Sequence, residues 1–238
     1  MADPQNLIPV HADALLPLPN LAKSLARKGK VKIVAIGSSS TAGEGGIVPY
    51  PSRLQDVLRQ KYGNPLIEVI NQGIGGQEAP GELNRMQDVI DEKPALTIWQ
   101  VGTNAAWKGY DLDAVGKAIS DGLKLLKKKQ KNMDIILMDL QYAPALLTVD
   151  KAAATERMQL LIKKRAADAG VGVFRRFDMM RKLIEIEGRS FDALIDPSDS
   201  DRLHESDLVA QRIGYELYFT IANAAIKASA AATPPWGV

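Results

Sequence analysis

The sequence predicts an α/β protein, a three-layer α/β/α sandwich around a five-stranded parallel sheet, and three observations carry that prediction. Short runs that are apolar on both faces recur along the chain, stretches of helical apolar spacing separate them, and the two alternate strictly. Strands apolar on both faces mark a parallel sheet covered on both sides. Alternation of strand and helix implies crossover connections, right-handed by the general rule.

Taken in order, VKIVAIG (31–37), LIEVIN (66–71), ALTIWQVG (95–102), MDIILMDL (133–140) and VGVF (171–174) are the expected strands. Between them Leu54, Val57 and Leu58, then Leu83, Met86 and Ile90, then Leu112, Val115, Ile119, Leu123 and Leu126, and finally Met158, Leu161 and Ile162 recur at helical spacing, each group defining a crossover helix. Ser206 to Lys227 closes the domain as a long helix with Leu208, Val209, Ile213 and Leu217 on one face. These readings divide the chain into a leader or arm (1–30), one domain (31–228) and a low-complexity tail (229–238).

Composition agrees with a single globular domain: 238 residues, 46% hydrophobic and 24% charged. Thirty Lys and Arg against 28 Asp and Glu leave a net charge of +2, which argues against a nucleic-acid partner. The basic run Lys124 to Lys131 reads as the solvated last turn of a helix, where cations suit the negative end of the dipole. The absence of cysteine removes disulfides, a thiol nucleophile and thiolate zinc sites, and two histidines, His11 and His204, argue against a multi-histidine metal centre. No apolar run approaches the ~20 residues of a membrane span. The first twenty residues lack a basic leader and an apolar signal core. A soluble protein without stable membrane insertion is expected, in the cytoplasm or, where a signal has been removed, outside it.

In open parallel sheets the chemistry lies beyond the carboxyl ends of the strands. The first strand is followed by Gly37-Ser38-Ser39-Ser40-Thr41-Ala42-Gly43, the second by Asn71-Gln72-Gly73-Ile74-Gly75-Gly76, and the third by Gly102-Thr103-Asn104; Asp201-Arg202-Leu203-His204 precedes the last helix. These pieces supply the parts of acyl transfer. A hydroxyl nucleophile needs an adjacent base, and the base needs an orienting group. His204 is the base, because His11 lies in the Pro-rich leader, and Asp201 stands three residues before it, one helical turn away. Asp196 and Asp199 are alternative orienting groups without that spacing. Backbone at Gly76 and the Asn104 amide suit an oxyanion. The first block is also rich enough in glycine and hydroxyl to suggest a phosphate cradle, but it lacks the Gly-Lys-Ser/Thr ending and the Gly-x-Gly-x-x-Gly order.

Together the four blocks resemble the GDSL, or SGNH, hydrolase superfamily, over a span from about Val31 to the final helix. The resemblance implies a flavodoxin-like sandwich and assigns Ser39 as nucleophile, with Ser38 and Ser40 as alternatives that break the glycine spacing. It implies Ser39, Asp201 and His204 as the triad, and Ser39, Gly76 and Asn104 as the oxyanion hole. Ser38 stands where the family has Asp, removing a carboxylate that would brace the loop, and Ser40 where it often has Leu. The resemblance implies ester hydrolysis with no metal and no cofactor and does not choose the substrate; the overhanging segments 43–51, 105–110 and 142–149 are too short for a long lid, so short-acyl, acetyl-like esters of a small-molecule substrate, carbohydrates included, are expected. Lysophospholipase, thioesterase, acyltransferase and catalytically silent ligand-binding relatives are the alternatives. Tyr50, Trp107 and Tyr142, on segments expected to overhang the site, are the candidate substrate-binding residues.

Overall fold

The computed structural model describes residues 16–27 and 29–232; His11 and the end of the tail, 233–238, lie outside the described residues. Five strands, β1 (Val31–Gly37), β2 (Ile67–Gly73), β3 (Leu96–Gln100), β4 (Asp134–Met138) and β5 (Gly172–Phe174), form one parallel sheet in the order β2-β1-β3-β4-β5. That order makes the chain reverse its winding direction between β1 and β3. A crevice therefore opens beyond the carboxyl ends of those two strands.

In chain order the helices are α1 (Pro19–Ala26), α2 (Ser39–Ala42), α3 (Tyr50–Tyr62), α4 (Ala79–Leu83), α5 (Met86–Asp91), α6 (Thr103–Lys108), α7 (Leu112–Lys129), α8 (Ala152–Ala169), α9 (Arg176–Glu185), α10 (Phe191–Leu194) and α11 (Asp207–Ala232). One face of the sheet carries α4 to α8, whose Met86, Val89, Ile119, Leu123, Met158 and Ile162 pack with Val34, Ile36 and Trp99 of the strands. The other face carries α1, α3, α9 and α11, where Leu21, Leu54, Leu58, Met180, Ile213 and Leu217 pack with Ile33, Ile67 and Ile98. Burying each such leucine or isoleucine contributes ~1.5–3 kcal/mol, so both layers are held by their apolar stripes.

Several details depart from the sequence reading. The segment read as an arm contains α1, whose Leu21 and Leu25 are buried against the sheet face that α11 covers; Pro19 suits its first turn. The helix expected through Leu83, Met86 and Ile90 is two short helices, α4 and α5, broken at Asn84 and Arg85. The break directs the Arg85 guanidinium to Gln77 Oε1 (2.7 Å) and the Gly37 carbonyl (3.3 Å). Helix α11 runs past Lys227 to Ala232, and Leu208, placed on its inner face from sequence, is 38% exposed.

Candidate active site

At the end of β1 the chain turns directly into α2, a single helical turn. Three serines lie here, and their hydroxyls part company. Ser38 donates both its N–H and its Oγ–H to Gln100 Oε1 at 3.0 Å, and Ser40 Oγ donates to Gln141 Oε1 at 2.8 Å. Gln141 Nε2 in turn donates to the Leu203 carbonyl beside His204. Ser39 Oγ is the one that meets His204 Nε2, at 3.0 Å. Gln100, from the end of β3, thus braces the turn that begins at Ser38, and Thr41 Oγ1 adds a longer contact to it of 3.4 Å.

The carboxylate beside the His204 imidazole is Asp199, not Asp201. Asp199 Oδ2 lies 3.1 Å from His204 Nδ1, which keeps the proton on Nδ1 and leaves the Nε2 lone pair facing Ser39. The helical spacing assumed for Asp201 fails because 196–204 is a folded loop. An antiparallel bridge between Ile195 and Glu205 pins its ends, the His204 carbonyl accepts from Asp196 N–H (2.9 Å), and Arg202 adopts φ 53° at the reversal. Within that loop Asp201 is exposed, and its N–H donates to Asp199 Oδ1 at 3.2 Å. Burial opposes ionisation of Asp199, but the N–H groups of His204 and Leu203 and the imidazole itself outweigh it and hold the carboxyl below the ordinary range.

On the other side of Ser39 run the turns after β2 and β3. Asn104 is buried at the start of α6, and its Nδ2 donates one hydrogen to the Gln77 carbonyl at 2.8 Å, tying it to the residue next to Gly76. The β2 turn is bound to the turn bearing Ser39 in its own right, since Ile74 N–H donates to the Gly37 carbonyl (3.0 Å) and Asn71 Nδ2 to the Ala42 carbonyl (3.3 Å). As the first residue of a helical turn, Ser39 has a backbone N–H without an intrahelical acceptor.

Two buried acids beneath this turn were not anticipated. Glu78 accepts from the N–H groups of Ala79 (2.9 Å), Gly102 (2.9 Å) and Ala105 (2.9 Å), so it fixes the start of α6 and with it Asn104. Burial raises its pKa against those donors, and burial together with the Glu78 charge raises Glu82 further, although Trp99 Nε1 donates to Glu82 Oε2 at 2.6 Å. A fully buried Arg176 likewise escaped notice. Its guanidinium reaches the Asp139 carbonyl (3.2 Å) after β4 and Thr103 Oγ1 (3.2 Å) beside Asn104, and it stands 3.9 Å from Glu205, the neighbour of His204.

The three aromatic candidates fare differently. Tyr50 is fully buried below the turn bearing Ser39, 3.4 Å from Thr41 Oγ1, so it offers no face to a substrate; its position at the first turn of α3 turns the ring inward. Tyr142 is half-buried, with its ring edge-on to Phe177 (5.0 Å) and tilted on Phe191 (5.3 Å). Trp107 is half-buried, and the Lys108 ammonium sits 5.6 Å from its ring centre. Beside Ser39 and His204 a cleft of about 10 Å³, space for about one water, is walled by Ile47, Pro49 and Ala210. Among the described residues no cluster of three or more His, Asp or Glu is placed to hold a metal, and no helix is long and apolar enough to cross a membrane.

Residues 6–227 match the model of the non-GDSL lipase-like family. No curated protein sequence matches the chain. Among solved structures, the chain is similar to a lipolytic protein of the G-D-S-L family from Desulfitobacterium hafniense DCB-2, with 22% identity over 80% of this chain and 99% of that one and a TM-score of 0.64. It is also similar to Axe2, an acetylxylan esterase from Geobacillus stearothermophilus, with 20% identity over 81% of this chain and 95% of that one and a TM-score of 0.67. Both likenesses are of fold.

Proposed function

The chain belongs to the non-GDSL lipase-like family, and from that membership we propose that it is a serine hydrolase cleaving short-acyl esters through an acyl-Ser39 intermediate. The observation that carries the reading is the unbroken relay of contacts from Ser39 Oγ to His204 Nε2 (3.0 Å) and from His204 Nδ1 to Asp199 (3.1 Å). His204 takes the Ser39 proton as Oγ adds to the ester carbonyl carbon. The resulting oxyanion is held by the N–H groups of Ser39 and Gly76 and by the free hydrogen of Asn104 Nδ2. Collapse breaks the bond to the alcohol oxygen, which leaves with the proton from His204; water then repeats the sequence against the acyl-enzyme.

The cleft beside the pair is small, about 10 Å³, and is walled by Ile47, Pro49 and Ala210, which supports a small acyl group over a long one. The fold neighbour Axe2 is an acetylxylan esterase, which supports an acetylated carbohydrate as the alcohol part. Trp107 and Tyr142 are the aromatic side chains left to meet it.

The test is a panel of aryl esters of graded acyl length, repeated with acetylated sugars, alongside labelling by a fluorophosphonate. Activity should fall steeply beyond butyryl, the label should sit on Ser39, and Ser39→Ala should lose both while keeping its fold. Trp107→Ala should harm bulky alcohols more than small ones. Preference for long-chain esters, or labelling of Ser38 or Ser40, would overturn the assignment.

A further inference from the structure

One carboxylate at the site is used by neither the triad nor the oxyanion donors. Glu44 lies in the turn after α2, and its Oε2 stands 3.4 Å from His204 Nε2, on the atom that Ser39 also addresses. Its side chain is 47% exposed, so the carboxylate is at the mouth of the site and reachable by solvent. Its position is built rather than incidental. The other oxygen, Oε1, occupies the space a Cβ on residue 75 would fill, so Gly75 leaves room for it. One residue on, Gly45 packs against Asp196 so closely that a Cβ there would overlap Asp196 Oδ2. Asp196 N–H in turn donates to the His204 carbonyl at 2.9 Å. The turn bearing Glu44 and the loop bearing His204 therefore hold each other in register.

We infer that Glu44 is a catalytic residue of the second half-reaction, accepting the spare hydrogen of the water that hydrolyses acyl-Ser39 and so favouring water over alcohols as the acyl acceptor. The inference rests on the hydrolase reading above. Once Ser39 is acylated its Oγ no longer donates, and Nε2 must find another O–H. Two acceptors, Nε2 and Glu44 Oε2, then face the same small space. Water carries a hydrogen for each. An alcohol carries one, and a departing alkoxide none, so neither can satisfy Glu44 as well as His204. In the step itself the water oxygen adds to the acyl carbonyl carbon while one proton passes to Nε2. The tetrahedral intermediate then collapses, the bond to Ser39 Oγ breaks, and Oγ recovers that proton. The hydrogen held by Glu44 leaves with the carboxylic acid, and Glu44 itself transfers nothing.

The experiment compares wild type, Glu44→Ala and Glu44→Gln on an aryl acetate in water and in water containing methanol, with fluorophosphonate labelling in parallel. Glu44→Ala should lower kcat and KM together by ~10-fold while kcat/KM and the labelling rate stay within ~2-fold. Acetyl-Ser39 should accumulate in intact-protein mass spectra, and the ratio of methyl acetate to acetate should rise ~10-fold. Glu44→Gln keeps one acceptor oxygen and should lose less than Glu44→Ala. Equal losses in kcat and kcat/KM would place Glu44 in both half-reactions and overturn the inference, as would an unchanged product ratio from an active enzyme. A wild type that takes no label at Ser39 and turns over no ester would instead overturn the hydrolase reading, and the role of Glu44 with it.

Discussion

Asp199 and Asp201 are two residues apart, yet only one faces the imidazole. Asp199 gathers the N–H groups of Leu203 (2.7 Å) and His204 (2.6 Å) along with Nδ1, so its carboxylate both closes the loop and fixes the tautomer. Asp199→Asn should therefore lower kcat by ~10³-fold or more, while Asp201→Asn stays within ~2-fold of wild type. Steady-state kinetics of the two variants on one aryl ester decides between them, and an inert Asp199→Asn with a crippled Asp201→Asn would reverse the assignment. His204 was legible in the sequence because a chain with two histidines offers few bases. The choice of carboxylate was not, because a loop reversal through Arg202 at φ 53° leaves no periodic trace. Tyr50 was misread for a related reason: position in a connecting segment does not say whether a ring turns toward solvent or core. Glu44 and Glu78 carry no signal in the sequence, because the imidazole and the backbone N–H groups set against them come from the His204 loop and from the turn that starts α6.

A four-residue helical turn such as α2 is far too short to stand by itself. What holds it is the convergence of Ser38 N–H, Ser38 Oγ and Thr41 Oγ1 on a single oxygen of Gln100, within the buried end of β3. Gln100→Ala leaves those donors without an acceptor in a dry place, and should lower unfolding free energy by ~1–3 kcal/mol. It should also slow phosphonate labelling of Ser39, since the hydroxyl loses its fixed approach. Gln100→Glu keeps the acceptor and should label faster than Gln100→Ala; denaturant titration and labelling rates test both, and an unperturbed Gln100→Ala would mean the turn is held elsewhere. The elements themselves were largely legible. Apolar strands and amphipathic crossover helices announce themselves through period, as the buried Leu112, Val115, Ile119, Leu123 and Leu126 of α7 illustrate. Helix α1 carried a weaker signal, Pro19 at its first turn and the spacing of Leu18, Leu21 and Leu25, which the Pro-rich leader around it obscured.

For the molecule as a whole, the polar layer under the catalytic turns trades stability for position. Asp139 is the clearest instance: burial lifts its pKa to about 7, against the Phe177 N–H and the Arg176 charge that oppose the shift. Its folded value lies above the unfolded ~3.9, so the folded state binds the extra proton between those values. Its stabilising contribution is complete below about pH 4 and is lost as pH rises through about 7. Asp139→Asn keeps an oxygen for the Phe177 N–H and removes the titration. It should match wild type near pH 4 and exceed it by ~1–4 kcal/mol at pH 8, read by urea unfolding at the two values; a constant difference would exclude Asp139 as the source. Another property of the whole chain follows from the distance in sequence between the partners of the relay. Ser39 and His204 are 165 residues apart, and the loop that presents His204 is followed by α11, which packs on the same sheet face as α1. Contacts of that span are the slow ones to form. A growing chain emerging from the ribosome holds its nucleophile long before its base, so it passes through synthesis without hydrolytic competence. In refolding, recovery of esterase activity should trail recovery of helical signal, making turnover a reporter of the last long-range closure rather than of the sheet.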